Sequence, residues 1–365
     1  MNPTTINRNW DEANYRHLSA ALAVVRGILQ NSTAKEQNQP EEKNPEILQQ
    51  ELQSAAAAMP APSALESVCK MFSLSSFERD LLLLCAGMEL NGDFGKLCAI
   101  MQGDSQRAYP TLGLALAALP DIHWDAIAPN APLRHWRLIQ IGDGHALTLS
   151  PLKIDERILH YLTGIQYLDE RLAGIIEPLQ EVSDLVPSHQ DLAERVAAVW
   201  SQAYQVNNLP IVQLCSKETA SQHAIAAIIC QLQGLNLWVM PAQVIPLAPS
   251  ELDNLIHLWT RETILSKCAL LIDCNELDTN DTARLSAIAR FIERTKGFLI
   301  ITSRERIGLS QRLVVNFDVH QPTIKEQGAV WQDALGTMGE QMNGQVKTLV
   351  DQFNLSVATI RAACA

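Results

Sequence analysis

No apolar run in these 365 residues approaches the roughly 20 needed for a helix to cross a bilayer. The opening Met1-Asn-Pro-Thr-Thr lacks the basic-then-apolar pattern of a secretory leader, so a cytoplasmic location is expected. Paired CxxC spacing is also missing. The eight cysteines, Cys69, Cys85, Cys98, Cys215, Cys230, Cys268, Cys274 and Cys364, sit mostly inside apolar runs, which reads as free buried thiols in a reducing compartment rather than disulfides or zinc ligands. There is no HExxH, no Ser/His/Asp order around a nucleophile elbow, and no conspicuous carboxylate pair, so hydrolase and metal chemistry find no foothold. His257 and His320 stand alone. Basic excess is absent too: 40 acidic residues face 28 basic ones for a net charge of −12, and residues 1–182 (22 against 14) and 183–365 (18 against 14) are both acidic. A nucleic-acid binder would carry a basic face. What remains, 47% apolar and 19% charged residues, describes globular domains, two or three at this length.

The C-terminal half alternates short apolar runs with helical stretches. The runs are Ile211 to Cys215, Leu235 to Met240, Cys268 to Asp273, Phe298 to Thr302 and Leu313 to Phe317; helices are expected near Ser221 to Leu232, Ser250 to Ser266 and Thr282 to Arg294. Continuous apolar strands separated by helices predict a five-stranded parallel sheet covered on both faces, an α/β fold. Pro322 to Leu335, Asn343 to Phe353 and Ser356 to Cys364 read as three closing helices.

Between the first strand and its helix lies a loop with the outline of a phosphate-binding loop and none of its chemistry. Such a loop, GxxxxGK[ST], needs glycines so that backbone N–H groups can wrap a phosphate, a Lys for the β/γ-phosphates, and a hydroxyl for Mg²⁺. In that register stand Ser216, Ser221, Gln222 and His223, so every defining position is altered. The third strand ends in Asp273, followed by Cys274, and the fourth ends in Thr302. Cys274 follows a strand-end carboxylate, yet nothing near it in sequence would activate a thiol.

The N-terminal half opens with an amphipathic helix, Trp10 to Leu29. A solvated linker is expected from Asn31 to Pro45, and a second helix from Glu46 to Ala58. Ser63 with Glu66 has capping-box spacing. Helices are expected at Ala64 to Phe72, Ser76 to Glu89, Gly92 to Gln102 and Thr111 to Ala118. A hairpin with strands Leu133 to Ile141 and His145 to Leu149 about Gly142-Asp-Gly144 should follow. Helices leading into a hairpin describe a winged helix. DNA reading is disfavoured: Phe77 to Leu119, where a recognition helix would lie, holds five acidic and three basic residues, and Arg134, His135 and Arg137 form the only local basic cluster.

Taken together, the chain resembles the AAA ATPases encoded with bacterial extracellular contractile injection systems. The likeness rests on the strand, loop, Asp-ended strand and Thr-ended strand order with its helical lid, and on Trp10-Asp-Glu-Ala-Asn-Tyr15, Ser76-Phe-Glu-Arg-Asp-Leu-Leu-Leu-Leu-Cys85, Tyr109-Pro-Thr-Leu-Gly-Leu-Ala-Leu-Ala117 and Ile154-Asp-Glu-Arg-Ile-Leu-His-Tyr161. The resemblance implies four segments: N-terminal helices and polar linker (1–60), a winged-helix-like domain (61–182), a degenerate AAA α/β domain (183–320) and a helical lid (321–365). It implies that Asp273 is a Walker B remnant, that Cys274 replaces the glutamate that activates water, and that Thr302 is sensor-like. Arg304, Arg306 and Arg312 follow that strand where the family carries arginine fingers, although surface arginines in a loop are commoner.

Function follows from the same likeness. ATP and Mg²⁺ serve the full-length family, but this chain should bind no cofactor or metal tightly and be inactive by itself, with hydrolysis in a second module that would begin where it ends. Partners should be proteins, injection-system components among them, and self-association should be weak without the second module. The alternative from another class is a free-standing, non-enzymatic protein-binding adaptor, with a winged-helix DNA binder behind it.

Overall fold

A computed structural model describes residues 3–36, 44–179, 185–205, 209–278, 280–308, 311–336 and 343–364. The chain divides into two compact units, Met1–Glu170 and Arg171–Ala365.

The first unit is helical. Helix α1 (Pro3–Glu36) is followed by α2 (Pro45–Ala57), α3 (Ala64–Phe72), α4 (Ser76–Leu90), α5 (Asp93–Met101) and α6 (Leu112–Ala118). The first helix runs seven residues beyond Leu29. Its apolar stripe continues through buried Ala34, and Thr33 folds its hydroxyl onto the Leu29 carbonyl, 2.9 Å away. The remainder of the expected linker, 37–43, lies outside the described residues. Capping boxes start α3 and α4. Ser63 Oγ accepts from Glu66 N and Glu66 Oε2 from Ser63 N, and Ser75 and Glu78 repeat the exchange. Buried Asn14 of α1 then ties distant segments together, donating to Leu162 O at 3.0 Å and accepting from Ala64 N at 2.9 Å.

The wing exists, with different strands. Pro132 opens a helical turn, α7 (Pro132–His135), because its fixed φ suits a first helical position. Arg137 in the left-handed region (φ 51°) then ends it. Only Ile139–Ile141 remains as β1, paired antiparallel with β2 (Leu152–Ile154) in the register Ile139 to Ile154. Residues 145–149 make no strand. Ser150 N and Oγ both donate back to Ala146 O, closing a helical turn that leaves Leu147 and Leu149 over 40% exposed. Helix α8 (Glu156–Leu162) follows.

The second unit is a doubly wound α/β sheet with order β3-β5-β6-β7-β4-β8. Five strands are parallel: β4 (Ile211–Cys215), β5 (Asn236–Pro241), β6 (Cys268–Asp273), β7 (Phe298–Ser303) and β8 (Val314–Asp318). A two-residue strand, β3 (Glu177–Pro178), adds an antiparallel edge that the apolar pattern could not reveal. After β4 the chain crosses to β5 on the far side, then walks back through β6 and β7. Right-handed crossovers therefore set α10 (Thr219–Leu232) on one face and α11 (Pro249–Leu265) and α12 (Thr282–Arg294) on the other. Helix α9 (Pro187–Gln205) joins α10, burying Trp200 against Phe298 at 5.0 Å between ring centroids.

Three helices close the unit: α13 (Ile324–Leu335), α14 (Asn343–Gln352) and α15 (Val357–Cys364), around Trp331, Val346, Val350 and Ile360. Buried Gln327 knits them together, donating to Pro322 O and Asn354 Oδ1 at 2.7 Å each and accepting from Leu355 N at 3.1 Å. Among the described residues, no helix is long and apolar enough to cross a membrane.

Candidate functional site

In an open α/β sheet the ligand crevice lies at the carboxyl ends of the strands where their order reverses, here above β4 and β7. The altered loop sits there. Only Ser216, Lys217 and Glu218 are loop in form, because α10 begins at Thr219. Ser221, Gln222 and His223 are therefore helical residues, and β4 passes into α10 through a tight three-residue turn. Ser216 N donates to Ser303 O at 3.0 Å, while its Oγ accepts from Glu218 N at 3.2 Å. Glu218 is the N-cap, and its carboxylate accepts from Ser221 Oγ at 3.0 Å. A negative side chain thus lies at the positive helix end, where it is electrostatically favoured.

Gln222, in the first turn of α10, is fully buried. Its Nε2 donates to Leu214 O and Ser303 O at 2.9 Å each, spanning β4 and β7, and its Oε1 accepts from Asn275 Nδ2 at 2.8 Å. The partners fix the orientation of both amides: two carbonyls require an NH₂, and Asn275 Nδ2 meets only acceptors. Asn275 carries the network on to Asp273, whose Oδ1 accepts from Asn275 N at 3.0 Å, Asn275 Nδ2 at 2.8 Å and Thr302 Oγ1 at 3.3 Å. The other carboxylate oxygen lies 3.3 Å from His223 Nε2, an ion-pair separation without hydrogen-bond alignment.

These contacts set the charge of Asp273. Burial alone would raise its pKa, but the close contact with His223 and the Asn275 donors outweigh it and hold the carboxyl below its ordinary value. Stability owed to this shift is present above the unfolded-state value of about 4 and is lost only as pH falls below it. Cys274 N donates to Thr302 O at 2.8 Å, and burial, aided by the charge of Asp273, pushes the thiol up to about 12. It is a buried hydrophobe at neutral pH, not a nucleophile.

Two cavities flank the network. The one bounded by His189, Ser221, Ala224, Val357 and Arg361 measures about 60 Å³, far below the roughly 300–1,000 Å³ of small-molecule sites, whereas the one beyond the ends of β6 and β7, lined by Cys274, Asn275, Ser303 and Arg304, measures about 440 Å³. Glu326 accepts from Ser188 N (2.6 Å) and Ser188 Oγ (3.0 Å), joining the starts of α9 and α13, and His189 Nε2 meets His320 O at 2.7 Å.

The arginines after β7 divide. Arg304 and Arg306 are exposed, and Arg306 pairs with Asp318 at 2.9 Å. Arg312 turns inward, donating to Ile292 O, Thr295 O and Leu209 O, so it caps the end of α12 rather than reaching outward. The structure thus brings Gln222, His223, Asp273 and Thr302 into one network, seats Ser216 and Ser221 at its edge, and keeps Cys274 as packing. Sequence reasoning missed Asn275, Glu218 and Ser303. An asparagine two residues after a strand-end aspartate, placed for an Asx turn, was the available signal for Asn275.

Residues 11–176 match the family model of the winged helix domain, variant, and residues 310–365 match that of the contractile injection system ATPase helical domain. No curated protein matches the chain. Among solved structures, C. elegans PCH-2 is 13% identical over 52% of this chain and 66% of its own, just short of two thirds, with a TM-score of 0.37. Rhizobiales Trip13 is 14% identical over 51% of this chain and 86% of its own at 0.34. A chain of the E. coli MS115-1 HORMA:CdnC:Trip13 complex is 13% identical over 48% of this chain and 78% of its own at 0.32. These are distant likenesses.

Proposed function

We propose that this chain is the non-hydrolysing N-terminal half of an AAA family ATPase that recognises and remodels partner proteins of a contractile injection system in the cytoplasm, with ATP hydrolysis carried by a second module. The observation that carries this reading is the network of Gln222, Asn275, Asp273 and His223. Gln222 spends its amide on two backbone carbonyls and Asn275, and Asp273 spends its carboxylate on Asn275, Thr302 and the neighbouring His223, so the residues in the register of the lysine and the strand-end carboxylate are engaged with one another. A sheet whose strand ends are joined internally needs no nucleotide to hold its shape. The match of residues 310–365 to the helical domain of contractile injection system ATPases supplies the setting.

In this reading the winged-helix unit recognises a partner and the α/β unit serves as a fixed ring segment. A ring held by nucleotide at each joint loses that contribution here, so the chain alone should be monomeric or weakly associated. Light scattering on the purified chain at micromolar concentration, with and without Mg-ATP, tests this: monomers are expected in both, and hexamers only when an intact module is fused after Ala365. A stable hexamer of the chain alone would overturn the proposal.

A further inference from the structure

The N-terminal unit holds a cavity of about 470 Å³ among α1, α2, α3 and α4, within the roughly 300–1,000 Å³ range of small-molecule sites. It exists because α2 lies on α1 through a close seat, Leu48 against Gly27, where a Cβ on the glycine would come 2.5 Å from Leu48 Cδ1. Farther along, α2 presents the small Ala56 and leaves space behind it. The walls are aliphatic, formed by Val24, Leu52, Leu65 and Leu83.

Two buried polar side chains line the same cavity. His17 is 4% exposed and its Nδ1 has no hydrogen-bond partner. Burial holds its pKa below the ordinary value, with the charge of Glu66 acting weakly the other way, so the ring is neutral at pH 7. Asp80 is buried beside it and paired with Arg79 at 2.8 Å. Nδ1 is shut off from the cavity as the ring stands, and a ligand reaches it only after the ring turns about the Cβ–Cγ bond, a soft torsion. An unpaired buried imidazole nitrogen costs stability, and a bound hydroxyl or amide would supply the missing partner.

Charge decides the class of ligand. Glu66 and Asp80 are matched by Lys70 and Arg79 around the cavity, with Glu66 and Lys70 at its exposed mouth, so a full charge entering it gains no net attraction and must shed part of its water. We infer that this cavity binds a small, neutral, mainly aliphatic molecule with one hydroxyl or amide head, the head partnering His17 and the body lying along Val24, Leu52, Leu65 and Leu83. The nucleotide site is in the other unit, and this inference does not depend on how that site is read.

The test is titration of n-hexanol, hexylammonium and hexanoate into the full chain, followed by methyl NMR. Hexanol should give saturable shifts at Val24, Leu52, Leu65 and Leu83, and both ions should bind more weakly. His17→Leu should weaken hexanol roughly tenfold, the value of one lost hydrogen bond, and His17→Gln, which keeps a donor and an acceptor, should recover most of the loss. Ala56→Trp should abolish binding by filling the space. Absence of saturable shifts, shifts remote from the cavity, equal or tighter binding of either ion, or undiminished binding in His17→Leu or Ala56→Trp would each overturn the assignment.

Discussion

Gln222→Leu isolates the weight of the internal network, because leucine keeps most of the volume and removes the three short polar contacts along with a longer one to Ser216 O at 3.5 Å. The buried carbonyls of Leu214 and Ser303 lose a donor at 2.9 Å, and Asn275 Nδ2 loses its acceptor at 2.8 Å. A buried polar group left unpaired costs about 1–3 kcal/mol. The two carbonyls keep a backbone partner in the parallel ladder and fall at the low end, so the sum is about 3 kcal/mol, a large share of the roughly 5–15 kcal/mol that holds a domain together. For a unit of this size, about 2–4 °C per kcal/mol gives a melting shift of roughly 6–12 °C. Differential scanning calorimetry of the full chain reads it directly. Asn275→Ala, alone and combined with Gln222→Leu, should show at least about 1 kcal/mol of coupling, since both remove the same contact. A shift under about 2 °C, or additive effects, would show that the amides are bystanders and refute the idea of a structural network.

Other consequences follow from the same geometry. Restoring the loop with Ser216→Gly, Ser221→Gly, Gln222→Lys and His223→Thr should recover at most weak nucleotide binding without turnover, because Cys274 still stands where a general base is needed; phosphate release above background would show that the strand-end register is misplaced. Thiol labelling of the native chain should reach half-buried Cys364 first and leave Cys85, Cys230 and Cys274 unmodified, since burial pushes those three well above the ordinary thiol range; rapid labelling of Cys274 at neutral pH, read by mass spectrometry, would mean that the site is open.

Much of the α/β unit was legible because its strands are buried on both faces. Ile211 to Cys215 and Cys268 to Asp273 read as unbroken apolar runs, and nothing competes with that signal. The capping box at Ser63 and Glu66 was equally plain, since its chemistry is local. The wing was not. Pro132 and the left-handed Arg137 redirect a segment whose alternation alone suggests one long strand, and β2 was displaced to Leu152–Ile154 by a turn held through Ser150. Short β3 carries no pattern at two residues. At the site, Gln222 and Asp273 were visible individually, but that Asn275 joins them depends on β6 and α10 meeting in space. Arg312 shows the converse: a basic residue in a loop gives no sign that its guanidinium will fold inward onto three carbonyls.

On the proposed reading, internal contacts at this site stand in for nucleotide. Isothermal titration of Mg-ATP into the purified full chain tests it most directly. Without the lysine and the backbone cradle, charge-assisted contacts of roughly 1.5–3 kcal/mol each are missing, and the predicted result is no saturable heat at nucleotide concentrations up to the millimolar range. A dissociation constant in the micromolar range, lost on Asp273→Asn, would contradict it.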